Sequence, residues 1–316
     1  VTLPDTRAVT LKPPISVRLK QLAHEAVRSR WAYVFVAPFF ILYLVFGFFP
    51  QLFSVVLSLS KWTGMGSVQF IGLANFQLVM KDKVFWQAMA NSVIIFFMYV
   101  PLMLFLALVL AVLLSSNKIH GAGFFRLLIF LPYITNKVAA GRTFQLLFNS
   151  NDSGLINSLL NMLGFGSVRW MENTWTARIT LCILIIWGWV GYNMILMQAG
   201  LSTINPELQE AALIDGATSV QAFFHITIPL MRPIILFCVV MSVMGTFSLF
   251  SEVYSLTAVG GAVGGPMNAT VTPLILMYNR AFGEFRMGYA AALAYVYFMF
   301  IFIVTLVQFR RYGRVD

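Results

Sequence analysis

The chain has 316 residues, of which 59% are hydrophobic and 10% are charged. Soluble domains carry about 25% charged residues, so this composition excludes an ordinary soluble protein and points to a membrane chain. The formal net charge of +10 is not a nucleic-acid signature, because no base-reading module accompanies it. Much of it flanks the apolar region: Arg7, Lys12, Arg18, Lys20, Arg28 and Arg30 precede it, and Arg310, Arg311 and Arg314 follow it. Membrane surfaces favour that placement.

A membrane helix needs about 20 mainly apolar residues, and six candidates follow in chain order. The first occupies 31–60 without a charge. It starts too far into the chain and runs too long for a cleaved signal peptide. The second lies within 84–117, also uncharged. The third covers about 127–148 and is interrupted by Lys137 and Arg142. The fourth covers about 179–201, the fifth about 233–256 with Glu252 near its end, and the sixth about 287–309. Pro38, Pro50, Pro101 and Pro132 fall inside these runs; neighbouring helices can satisfy the carbonyls they free. The expected fold is therefore an all-α integral membrane protein of six transmembrane helices. It comprises a basic segment 1–30, a transmembrane domain 31–309 and a tail 310–316.

Lys and Arg set the orientation. With both termini inside, the inner segments hold 12 of the 21 basic residues and the outer segments 7. Both termini and residues 203–232 are thus expected to be cytoplasmic, and 149–178 external. Cys182 and Cys238 lie in apolar runs, and His24, His120 and His225 are dispersed. Neither set has disulfide or metal spacing.

Residues 203–233 are the most informative segment. Asn205 can cap a helix that starts at Pro206, and Glu207 and Glu210 suit its first turns. Leu208, Ala211 and Ala212 form one small apolar face. Gly216 fits a left-handed C′ position, and Thr218 and Gln221 have capping-box spacing for a second short helix. A helical hairpin with a small-residue face suits docking into a partner's groove; an ordinary connecting loop is the alternative.

The run Glu210-Ala211-Ala212, then Asp215-Gly216-Ala217, then Ile226, Ile228 and Pro229 resembles the EAA loop of ABC importer permeases. Three residues separate Ala212 from Gly216, and nine separate Gly216 from Ile226, as in that family. Asn149, Gly154-Leu155-Ile156-Asn157, and Gly264-Gly265-Pro266 with Thr270 resemble elements of its carbohydrate (maltose-type) branch. The resemblance covers most of 31–310. It implies a type I importer permease in a bacterial inner membrane, whose loop couples to an ATPase through Glu210, Ala211, Ala212, Asp215 and Gly216. It also implies four partners: a second, paralogous permease subunit, two ATPase subunits and an external substrate-binding protein. No G-x-x-x-x-G-K-[ST] phosphate loop occurs, so this chain is expected to carry no cofactor and no enzyme activity, with ATP and Mg on the partner.

Sugars are recognised by aromatic faces and by side chains that hydrogen-bond hydroxyls. Trp187, Trp189, Tyr192 and Asn193 cluster in the fourth span, where packing is the alternative reading. By resemblance Tyr192 matches a sugar-contacting tyrosine of the maltose permease, and Gly188 and Trp189 match neighbouring contact positions with different side chains. Phe247, Ser248, Ser251 and Glu252 fall at or beside a second contact stretch, where the maltose member is asparagine-rich. Lys137 and Arg142 at membrane depth imply a wet cavity, snorkelling or a pair with Glu252. Two cations facing one acid would suit an anionic, uronate-containing saccharide. A secondary transporter or channel would need coupling-ion sites or a selectivity ring, for which Glu252 is the one acidic residue within a span.

Overall fold

The computed structural model describes residues 29–115, 119–152, 154–258 and 263–312. The expectation for the basic segment 1–30 falls almost wholly outside them. The chain divides into two compact units, Val1–Val56 and Leu57–Asp316. The first helix, α1, spans Arg30–Ser58 and loosens into a π-helical turn at Tyr43–Phe48.

The second unit begins with a two-residue ribbon in which Ser60–Lys61 pairs antiparallel with Gln69–Phe70. Asn75 holds it, donating from Nδ2 to the Ser58 and Ser60 carbonyls at 3.0 and 2.9 Å. The helices that follow are α2 (Ala74–Lys81), α3 (Lys83–Ser115), α4 (Ala122–Ile134), α5 (Lys137–Leu147), α6 (Leu155–Met162) and α7 (Thr174–Ser202). Next come α8 (Pro206–Ile214), α9 (Ser219–Leu230), α10 (Arg232–Phe247), α11 (Ser251–Thr257), α12 (Pro273–Tyr278) and α13 (Met287–Tyr312).

Among the described residues, four helices are long and apolar enough to cross a membrane: α1, α3, α7 and α13 over Met287–Val307. A fifth crossing results if α9 and α10, bent by 64°, count as one. The expected third span is not one helix. It stops at Ile134, and Asn136 restarts it, its Oδ1 accepting from the Val138 and Ala139 amides at 2.9 and 3.1 Å. An asparagine that accepts two orphan amides favours a new helix start over continuation. The expected fifth span also breaks, between Phe247 and Ser251. There the Tyr297 hydroxyl donates to the Phe247 carbonyl, and Thr272 Oγ1 donates to the Leu249 carbonyl at 2.8 Å. A break at membrane depth survives only where such partners replace the lost ladder.

Helices α3 and α7 form the most extensive pair, with α4 against α7 and α5 against α11. One apolar core gathers Phe85, Ile95, Leu181, Ile185, Leu256 and Leu293, and a second gathers Ala107, Ala111, Met194, Met197 and Met231. Cys182 belongs to the first and Cys238 to the second, both as free thiols. Gly191 lets α4 approach α7 until backbone meets backbone: an added Cβ would lie 2.1 Å from the Ile129 carbonyl oxygen. Small residues permit this closeness in membrane bundles.

The bundle has two distinct ends. Ser115, Leu201 and the α8–α9 hairpin share one of them. At the far end, Gln87, Asn91 and Arg178 hold the turn that follows Gly264-Gly265-Pro266. Their side chains donate to the carbonyls of Met267, Asn268, Ala269 and Val271 at 2.7–3.1 Å. That clamp keeps Met267 and Asn268 at φ of 51° and 59°, a conformation that costs non-glycine residues free energy.

Candidate translocation and coupling sites

The α8–α9 hairpin forms from its local signals. Asn205 Oδ1 accepts from the Glu207 amide at 3.2 Å, and Pro206 takes the first turn. The helix ends in a Schellman motif: the Ala217 amide reaches the Ala212 carbonyl at 2.9 Å and the Gly216 amide reaches that of Leu213 at 3.1 Å. Gly216 has φ of +86°. Thr218 and Gln221 complete the capping box, and Gln209 Nε2 ties α8 to α9 by donating to Thr227 Oγ1 at 3.1 Å. Glu210, Ala211, Asp215 and Gly216 are exposed and Ala212 is half-buried, so the small-residue face is open. Ile214, Val220 and Phe224 are exposed beside it.

The second cluster sits where the third and fifth spans break. Lys137, the first residue of α5, meets Glu252 of α11 at 3.1 Å. The ammonium also lies 4.5 Å from the centroid of the Trp189 ring. Glu252 is buried, while the Lys137 side chain stays 45% exposed, so the acid is fixed and the cation reaches it. Tyr192 stacks on Tyr133 with centroids 4.7 Å apart, and Trp189 meets Tyr133 edge-on at 5.3 Å. Gly188 and Trp189 border one cavity with Lys137 and Glu252; Trp189, Tyr192 and Asn193 border another with Tyr99 and Ser242. Each has a volume of about 20 Å³, room for a water but not a sugar ring.

The remaining candidates are placed elsewhere. Phe247 is buried against Tyr297 and Phe300. Ser248 is exposed at the break and Ser251 half-buried, the Ser251 carbonyl accepting from Ser255 Oγ at 2.6 Å. Asn193 is buried and donates to the Trp189 carbonyl at 3.0 Å. Arg142 does not join Lys137: its Nη1 donates to Gln145 Oε1 at 2.8 Å and to the Ala258 carbonyl at 2.9 Å. Five residues along one helix rotate a side chain by about 140°, which separates the two cations. The expectation of two cations against one acid is therefore corrected to one pair. Tyr133 was absent from the sequence candidates, its only local signal being Pro132 beside it. Among the described residues, no group of three or more His, Cys, Asp or Glu is placed to hold a metal ion.

One ion pair fastens the far end. Asp82 accepts from the Tyr289 hydroxyl at 2.6 Å and from Arg280 Nη2 at 3.4 Å, and its Oδ1 accepts from the Val84 amide at 2.8 Å. Burial pushes its carboxyl up, but the Tyr289 and Val84 hydrogen bonds and Arg280 together hold it below the ordinary carboxylate value. A lowered folded value means stability present above about pH 4 and lost as pH falls through the folded value. Asp82→Asn is expected to cost about 1–2 kcal/mol at neutral pH and to flatten that acid limb. Thermal unfolding of the detergent-solubilised protein between about pH 3 and about pH 7 measures both.

Residues 70–312 match the family described as "Binding-protein-dependent transport system inner membrane component". The chain belongs to that family. It is a transport subunit of the ABC importer class and not an enzyme, as the EAA-loop resemblance implied. The lactose transport system permease protein LacF of Rhizobium radiobacter is 38% identical over 280 residues, covering 88% of this chain and 92% of the relative. The arabinooligosaccharides transport system permease protein AraP of Halalkalibacterium halodurans is 32% identical over 276 residues, covering 87% and 85%. A chain of the crystal structure of a bacterial alginate ABC transporter, in complex with an alginate pentasaccharide-bound periplasmic protein, superposes with a TM-score of 0.78. It is 20% identical, with coverage of 93% of this chain and 99% of that one, a likeness of fold.

Proposed function

We propose that this permease subunit forms half of a translocation path for a neutral oligosaccharide delivered by an external binding protein. The observation that carries the reading is the aromatic cluster of Tyr133, Trp189 and Tyr192 beside the Lys137–Glu252 pair, at the level where two spans break. Aromatic faces bind sugar rings without demanding one pose. The ion pair offers donors and acceptors for hydroxyls with no net charge, which disfavours a uronate. The names of the relatives, for lactose and for arabino-oligosaccharides, support a neutral sugar.

In this reading the α4–α5 pair crosses the membrane together, as does α10 with α11, giving six crossings. The termini and the α8–α9 hairpin face the cytoplasm, and 149–178 face outside. A paralogous permease subunit completes the path. Two ATPase subunits carry ATP and Mg, and one of them receives the hairpin at Glu210-Ala211-Ala212 and Asp215-Gly216.

Uptake by the assembled transporter in proteoliposomes tests the path. Tyr192→Ala is expected to lower lactose uptake at limiting substrate by about 2- to 10-fold, the value of one aromatic contact, with assembly and basal ATP hydrolysis retained. Parent-level uptake by both Tyr192→Ala and Trp189→Ala would make these residues packing and sink the assignment.

A further inference from the structure

A cleft of about 750 Å³ opens at the far end of the bundle, bordered by Arg142, Gln145, Asn149, Asn151, Glu172 and Thr257. Its walls are built, not incidental. Asn157 is fully buried beneath it and donates from Nδ2 to the carbonyls of Asn149, Asn151 and Val168 at 3.1–3.2 Å, while its Oδ1 accepts from Trp170 Nε1 at 2.8 Å. Ser150 Oγ accepts from the Met171 amide at 3.2 Å and closes the other side. Arg142 is oriented across the cleft wall by its bonds to Gln145 and the Ala258 carbonyl.

The cleft and the Trp189 and Tyr192 cluster share two helices. On α5, Lys137 belongs to the inner cluster and Arg142 to the cleft. On α11, Glu252 belongs to the inner cluster and Thr257 to the cleft. Either spacing is five residues, about 7.5 Å of helix rise. The two helices pack closely side by side. A chain of ring contacts through Trp170, Phe148, Phe144 and Trp187, at centroid spacings of 5.1, 5.8 and 5.3 Å, fixes α5 against α7. The two polar places therefore keep a fixed separation.

We infer that this cleft is a second saccharide station, which binds the trailing sugars of an oligosaccharide while its leading sugar lies at Trp189 and Tyr192. Guanidinium, amide and hydroxyl groups on a rigid wall fit sugar hydroxyls. Glu172 is paired with Arg169 at 3.2 Å, so the station offers the Arg142 guanidinium among otherwise neutral donors and acceptors. The station rests on the proposed saccharide path and adds to it a preference for length.

The test uses the assembled transporter in proteoliposomes and the arabino-oligosaccharide series from the disaccharide to the pentasaccharide. The quantity read is the ratio of pentasaccharide to disaccharide uptake at limiting concentration. Arg142→Gln and Gln145→Ala are each expected to lower that ratio by about fivefold, the factor of one lost hydrogen bond of typical net strength. Tyr192→Ala is expected to lower uptake of both lengths and leave the ratio near the parent value. A ratio unchanged in both cleft variants overturns the station, while loss of uptake in Tyr192→Ala keeps the inner site standing. If Tyr192→Ala is also silent, or the parent takes up neither length, the saccharide path itself fails and the station with it. A station formed only against the second permease subunit would show as lost co-purification of that subunit in both variants, and it too would overturn the inference.

Discussion

Gly216→Val is expected to leave membrane insertion and expression near the parent level and to lower transport by about tenfold or more. Valine at φ of +86° carries a strain of about 1–2 kcal/mol, and β-branching makes it worse. The added Cβ meets nothing within 4 Å, so the effect comes from the backbone and not from a clash. Relief of the strain breaks the two Schellman bonds to Ala212 and Leu213. The face Glu210-Ala211-Ala212 then loses its fixed angle to α9. Loss of a coupling free energy of about 1–3 kcal/mol gives the stated size. Gly216→Ala strains the same position less and should fall between. Co-purification of the ATPase and uptake in proteoliposomes, measured together, check the prediction; a Gly216→Val variant that assembles and transports like the parent rules out the hairpin's coupling role.

Gly191→Leu is expected to have the largest effect on stability. A Cβ at this position would lie 2.1 Å from the Ile129 carbonyl oxygen and 2.8 Å from the Phe130 Cα. Both are backbone atoms, so no side-chain rotation relieves the overlap, and α4 must move away from α7. That displacement carries Tyr133 off Tyr192, because Tyr133 is one turn beyond Ile129 on α4. Overpacking of this kind costs roughly 3 kcal/mol or more. Thermal unfolding by fluorescence-detected size exclusion is expected to show a protein that unfolds well below the parent or does not survive extraction. Gly188→Leu is the matched control. It sits one turn away on the same helix, where an added Cβ meets nothing within 4 Å, and its unfolding is expected to stay near the parent.

The α8–α9 hairpin was legible because its signals are local. Asn205, Pro206, Gly216, Thr218 and Gln221 each act on backbone groups within a few residues, and the structure has the caps and the left-handed turn where those residues imply them. The membrane class followed from composition for the same reason. The breaks in the third and fifth spans were not legible as breaks. Hydropathy averages across Asn136 and Ser248, whereas the restart at Asn136 depends on two hydrogen bonds and the gap before Ser251 on hydroxyls from Tyr297 and Thr272 far along the chain. Once the third span restarts at Asn136, the direction of Arg142 depends on the phase of a new helix. Its partner, the Ala258 carbonyl, belongs to another segment. A pair with Glu252 was legible only as one alternative for Lys137 and Arg142 alike, because hydropathy gives the two cations of the third span no direction; the structure pairs Lys137. Tyr133 carries half of the aromatic stack, yet its contact with Tyr192 is purely tertiary.

Sugar-stimulated ATP hydrolysis tests the central claim most directly: that this chain forms half of a charge-balanced path for neutral oligosaccharides, coupled through its hairpin to an ATPase. The transporter, assembled with its partner subunits and binding protein in proteoliposomes, is offered lactose, arabino-oligosaccharides and alginate oligosaccharides in turn. The expected result is stimulation together with uptake by at least one of the neutral sugars, and none by alginate, because Lys137 is already neutralised by Glu252 at 3.1 Å. Stimulation by alginate oligosaccharides alone, or by none of the three, contradicts it.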